Sequence, residues 1–319
     1  MTVDCALRAG TRRLATELFD VELLRVFCEP PSEPAQIPFG RSHGLSLAVN
    51  PSWIYFLTVA TVDLLGPNRH VASGASHRWV HHHVVAVNLR GVTTVLLAGT
   101  GSDDDYVYRA FSGALHEVGA VLVTPPPQPE QLIAGYLAAL DEAVRGDERN
   151  IIAVGGVSIG AAVATSWALA HPAHAVAVLA ALPAWTGPPD NAPAALSARH
   201  TAQLLRTDGL AATVATMRAS SPSWLAEELT RSWLAQWPAL PDAMDAAAGH
   251  VSPTSTELAT LTVPMGVAAA TDDPIHPVDV ALEWVAAAPH AALRTVTLHE
   301  MGTDPGVLGA ACVGALLDL

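Results

Sequence analysis

Between Ile151 and Val163 the chain reads IIAVGGVSIGAAV, an apolar run that passes through Gly156-Val157-Ser158-Ile159-Gly160 into an Ala-rich helical pattern with no polar linker. Such a string fits a strand that turns at once into a helix. A serine on so sharp a turn takes a strained backbone conformation and needs small neighbours, and Gly156, Gly160 and Ala161 supply that room. The five-residue pattern alone recurs by chance, so its weight comes from what flanks it.

The flanks are regular. From Val92 onward, apolar strand-like runs (92–99, 120–124, 151–156, 175–183, 261–270, 293–298) alternate with segments of helical spacing (105–118, 130–145, 159–170, 278–288, 305–317). Apolar strands separated by helices predict an α/β fold, a mostly parallel sheet covered on both faces. The rhythm breaks once, from Ala184 to about Ala259, a helical stretch carrying Met217, Trp224, Trp233 and Trp237. An insertion at that point lies over the C-terminal edge of the strands, where such sheets bind ligands. It is expected to be a lid over 184–259, and its tryptophans suggest a substrate with an apolar part.

Residues 1–91 do not share the pattern. They are expected to be an atypical extension, poorly ordered or an over-extended reading whose native start lies near Val92, with 84–89 as a candidate edge strand. Residues 1–90 hold eight Arg against seven acids, whereas 91–319 hold eight Arg against twenty-three. The acidic part argues against nucleic acid or an anionic membrane surface as partner. Trp53–Gly66 is short for a membrane span and carries Asp63, and the first 27 residues lack a signal peptide's apolar centre. A cytoplasmic protein is therefore expected. Cys5, Cys28 and Cys312 have no metal spacing and are expected to be reduced. His81-His82-His83 has no partner carboxylate or cysteine cluster, and it reads as a solvated loop rather than a metal site.

Nucleophilic catalysis by serine needs a base within hydrogen-bond reach, an acid that orients the base, and donors for the oxyanion. Ser158, between strand and helix, is the nucleophile candidate. The acid is expected in the loop Thr271-Asp272-Asp273-Pro274-Ile275-His276-Pro277, with Asp273 chosen, Asp272 in reserve and Asp190 more remote. Chain order Ser, Asp, His leaves His276, His290 and His299 as bases. His276 sits in the acid's own loop and His290 at the opposite edge of the sheet. His299 directly follows the run LRTVTL on the catalytic edge and is chosen. The Gly-rich turn Ala98-Gly99-Thr100-Gly101-Ser102 lacks the spacing of a phosphate-binding loop. It would aim backbone N–H groups at the same space, so Thr100 and Ile159 are the oxyanion donors.

With these segments in order, the chain from about Val92 to its end resembles the α/β-hydrolase fold family. ALAHPAHAVAVLAALP is similar to that family's link into strand six, and the 26 positions between Asp273 and His299 are similar to its usual interval. The resemblance implies a Ser158, His299, Asp273 triad acting on small-molecule esters, thioesters or related acyl compounds, without a cofactor or metal. A serine hydrolase of carboxylic esters is the first expectation. Carbon–carbon bond hydrolysis or cofactor-free haloperoxidase-like chemistry on the same fold is the second, and a binding protein with an idle serine the third.

Overall fold

The computed structural model describes residues 87–319. The expectations for the N-terminal stretch, including the histidine run, the reading start, Cys5 and Cys28, lie outside the described residues. Of the candidate edge strand only Val87–Leu89 is described, and it is irregular.

Six parallel strands, β1 (Thr93–Leu97), β2 (Val121–Val123), β3 (Ile152–Val157), β4 (Ala175–Ala181), β5 (Met265–Ala270) and β6 (Ala291–Val296), lie in the order β2-β1-β3-β4-β5-β6. The early connections are helical, through α1 (Asp104–Glu117), α2 (Leu132–Gly146) and α3 (Ile159–Ala170). Between β4 and β5 lie α4 (Pro193–Thr207), α5 (Gly209–Ser220), α6 (Ser223–Gln236), α7 (Leu240–Ala248) and α8 (Ser255–Leu258). The chain ends with α9 (Val278–Ala287), α10 (Leu298–Thr303) and α11 (Gly306–Leu317), the first of these joining β5 to β6.

Successive strand residues face opposite sides of the sheet. Val95, Leu97, Val154, Val178 and Val267 join α2, α3 and α9 in one core, while Leu96, Ala153, Leu179 and Ala268 join α1 and α11 in the other. The central strands β3 and β5 are buried on both faces, which is why they read as unbroken apolar runs rather than alternating ones. Cys312 is a free thiol in the second core, donating to the Gly266 carbonyl at 3.3 Å, and burial pushes its pKa up.

The insertion has a small core of its own, built on Leu205, Met217, Trp233, Leu240 and Met244. Helix α6 reaches down to the turn after β1. Gln236 Nε2 donates to the Ser102 carbonyl at 2.9 Å, Arg231 pairs with Asp103 at 3.1 Å, and Arg109 of α1 reaches Glu228 at 2.7 Å. The ion pairs are half-exposed and contribute little stability, but they set where α6 lies.

Two boundaries differ from expectation. The run from 261 becomes strand only at Met265, because Pro264 has no N–H to give to a ladder, although its carbonyl accepts from Val178 at 2.9 Å. The strand expected over 293–298 lies at Ala291–Val296, because Thr297 caps α10 in a capping box with Glu300. Among the described residues no helix is long and apolar enough to cross a membrane.

Helix α3 starts directly above β1. A Cβ at Gly160 would run into the Leu97 carbonyl oxygen and stand 2.8 Å from that of Ala98. Gly160→Val is therefore expected to destabilise the fold by about 1–3 kcal/mol, seen as a lower urea midpoint with an unchanged slope. An unchanged midpoint would mean that α3 can move off β1.

Candidate active site

Ser158 joins β3 to α3 with φ 55° and ψ −116°, a conformation that costs an L-residue on the order of 1–3 kcal/mol. The surroundings hold it there. Its N–H donates to the Ala181 carbonyl at 2.9 Å, and its own carbonyl accepts from Ala162 at 3.2 Å. The turn swings the side chain away from the helix, so Ser158 precedes α3 without capping it through its hydroxyl. The residue is only 7% exposed.

What the hydroxyl meets is His276. Its Nε2 lies 3.0 Å from Ser158 Oγ, and its Nδ1 lies 2.8 Å from Asp273 Oδ2. Asp273 Oδ1 also accepts from the backbone N–H groups of Ile275 at 2.8 Å and His276 at 3.3 Å. One carboxylate thus closes the loop after β5 around itself and grips the ring of the residue three positions on. Pro277 then caps α9, so the loop runs straight into a helix. With Nδ1 facing a carboxylate, the proton belongs there, and Nε2 is left as an acceptor toward the serine.

The surroundings of Asp273 favour its ionised form. Burial alone would raise the Asp273 pKa. The hydrogen bond from the His276 ring, the charge that ring can carry and the two backbone N–H groups outweigh it, and the carboxyl lies below its ordinary range.

The structure brings together two of the three residues expected as a triad and replaces the third. Ser158 and Asp273 meet across His276, whereas His299 lies exposed on α10, where its carbonyl accepts from the Thr303 hydroxyl. The correction has a local cause: β6 ends at Val296, and the Thr297–Glu300 capping box winds the following residues into a helix that turns His299 to solvent. The reserve acid Asp272 is exposed, and its Oδ1 accepts from the Leu298 N–H at 2.7 Å, so it ties the loop after β5 to the start of α10. Asp190 is exposed and held through its carbonyl by Arg199, and His290 is exposed at the start of β6. A sequence signal for His276 was present. An Asp whose side chain accepts from the next backbone N–H groups makes a tight turn that brings residue i+3 onto the same carboxylate.

The turn after β1 lies against the serine. A Cβ on Gly99 would stand 3.6 Å from Ser158 Cβ, and Ser102 N–H donates to the Gly99 carbonyl at 3.0 Å to close the turn. Tyr136 of α2 fixes it from the core side, its buried hydroxyl donating to the Ala98 carbonyl at 3.0 Å. The N–H groups of Thr100 and Ile159, the two expected donors, have no acceptor among the described residues. Ile159 also opens α3, whose positive end favours negative charge. Among the described residues no group of three or more His, Cys, Asp or Glu side chains is placed to hold a metal ion.

No family model and no curated protein matches the chain. Solved structures do. A hydrolase from Oleispira antarctica superposes with a TM-score of 0.56 at 15% identity, over 74% of this chain and 97% of that one. MenH from S. aureus gives 0.55 at 15% identity, over 72% and 93%. A carboxylesterase of the thaumarchaeon Nitrososphaera gargenis gives 0.54 at 13% identity, over 67% and 85%. The sheet order, the strained serine between β3 and α3, and these likenesses agree: residues 87–319 have the α/β-hydrolase fold.

Proposed function

We propose that the protein is a serine hydrolase of carboxylic esters or thioesters with an apolar portion. The observation that carries this reading is the unbroken chain from Ser158 Oγ through His276 to Asp273, with contacts of 3.0 and 2.8 Å. Ser158 Oγ adds to the acyl carbon while its proton passes to His276 Nε2. The intermediate's oxyanion is held by the N–H groups of Thr100 and Ile159. As the bond from the acyl carbon to the leaving oxygen, or sulfur in a thioester, breaks, His276 returns the proton to that departing atom, leaving an acyl-enzyme. Water then repeats the sequence and releases the acid, with His276 as base. Asp273 holds the ring and balances its charge when protonated. The helical insertion, whose α6 rests on the oxyanion turn, serves as the lid over the acyl portion of the substrate.

This reading differs from the first expectation only in the base, and a mutant series separates the two. Ser158→Ala and His276→Ala are each expected to lower turnover of p-nitrophenyl butyrate at least about a thousandfold, with the double mutant no worse than either single one, since the residues act as a unit. His299→Ala is expected to stay within about twofold of wild type. Loss of turnover in His299→Ala with retention in His276→Ala would reinstate the original base. A fluorophosphonate probe is expected to label Ser158 in the wild type, and a folded wild type that resists it would favour a binding protein.

Asp273 carries a pH signature of its own. Its folded pKa lies below the unfolded value, so the ionised carboxylate contributes stability that is fully present above the unfolded value of about 3.9 and is lost as pH falls through the folded value. Asp273→Asn is expected to be less stable than wild type at pH 7, with the gap narrowing below about pH 4. Urea unfolding at both pH values measures this, and a gap that widens in acid would contradict it.

A further inference from the structure

Trp233 of α6 is 5% exposed, and its indole Nε1 is buried with no hydrogen-bond partner. Tyr106 Oη, His250 Nε2 and Trp284 Nε1 share that condition, but Trp233 differs in where it lies. Gly101, in the oxyanion turn, has φ +69°, and a Cβ there would stand 2.7 Å from Trp233 Nε1 and 3.3 Å from Met244 Cε. The indole nitrogen therefore lies over Gly101, next to Thr100 and two residues from Gly99, whose added Cβ would come within 3.6 Å of Ser158 Cβ. An indole nitrogen can only donate, and a buried donor with no acceptor is costly to keep. Nothing loose explains it. Three residues along α6, Gln236 is anchored to the Ser102 carbonyl and to Ser232, so the helix end is held with Trp233 in this place.

We propose that Trp233 Nε1–H is a substrate-binding donor, and that the acyl chain of the preferred ester carries an acceptor oxygen near the scissile carbonyl, as alkoxyacyl and oxoacyl esters do. The inference rests on the ester-hydrolase reading above. The sheet order says which side of the substrate Trp233 meets. Ser158 stands on β3, with β1 and its turn on one side and His276, from the loop after β5, on the other. The leaving oxygen must face His276 to receive its proton. The carbonyl oxygen turns into the N–H groups of Thr100 and Ile159, and we place the acyl chain beside it, under α6, where Trp233 lies. An acceptor oxygen there would satisfy the orphan N–H, and a methylene in the same place would not. Such a site discriminates through the group it leaves unpaired.

Trp233→Phe removes the N–H and keeps an aromatic ring in the Leu205, Met217, Leu240 and Met244 cluster. The probes are p-nitrophenyl methoxyacetate and p-nitrophenyl butyrate, which are equal in chain length and differ by an ether oxygen in place of a methylene. The substitution is expected to lower the ratio of kcat/KM for methoxyacetate over butyrate about tenfold, which is about 1.4 kcal/mol. An unchanged ratio, whether both rates fall together or neither moves, overturns the proposal. Should the wild type turn over neither ester, the hydrolase reading fails and the N–H is tested alone. In Ser158→Ala protein with 15N-labelled tryptophan, the Trp233 indole resonance, identified by its loss in the Trp233→Phe background, is followed by NMR. Ethyl methoxyacetate is expected to move it further downfield than ethyl butyrate does, and an equal or absent shift overturns the proposal.

Discussion

The strained turn at Ser158 makes demands on everything around it. A backbone at φ 55° and ψ −116° persists only where neighbouring structure over-determines it, and here three backbones converge to do so. β4 accepts the Ser158 N–H through Ala181, α3 takes the Ser158 carbonyl into its first turn, and β1 presses so close that Gly160 has no room for a Cβ. None of these contacts is local in sequence except the helix. They require β1, β3 and β4 to be neighbours, and two dry cores to keep them so. The same closeness of β1 brings the Gly99 turn against Ser158, so the N–H groups proposed as oxyanion donors owe their place to the packing that holds the serine.

The other half of the site is assembled by one carboxylate. Asp273 accepts two backbone N–H groups and one ring nitrogen, which folds the loop and aims the imidazole together. In the proposed reading the base and its orienting acid share one loop, so no second strand end has to come into register. Only the β5 side must be positioned relative to Ser158, and the β4–β5 ladder does that.

The sheet was legible because strands buried on both faces leave long apolar runs, and α3 was legible at both ends because Gly160 at its start and His171-Pro172 after Ala170 mark them. Ser158 and Asp273 were legible as types at strand ends. His276 was harder, because chain order and strand ends point past it to His299, while the evidence for it lay in turn chemistry: an aspartate gripping the next two N–H groups. The Thr297–Glu300 capping box is likewise written in the sequence as Thr-x-x-Glu, a pattern that places His299 inside a helix. What no local pattern carries is the seat of α6 on the turn after β1. It depends on Gln236 finding the Ser102 carbonyl and Arg231 finding Asp103, contacts that span more than a hundred residues.

The adjacent acids Asp272 and Asp273 show why residue type alone could not decide between them. Both follow the same strand, yet strand geometry and loop closure send their side chains to different elements. Asp273 turns inward, loses water and is compensated by His276 and two backbone N–H groups. Asp272 stays in solvent and accepts the Leu298 N–H, one of the orphan donors at the start of α10. Helix α10 is therefore tied to the loop after β5 by Asp272, the residue beside Asp273, in addition to its own Thr297–Glu300 capping box. The end of β6 carries a short capped helix instead of a site residue, and the base proposed for the site comes from the loop one strand earlier.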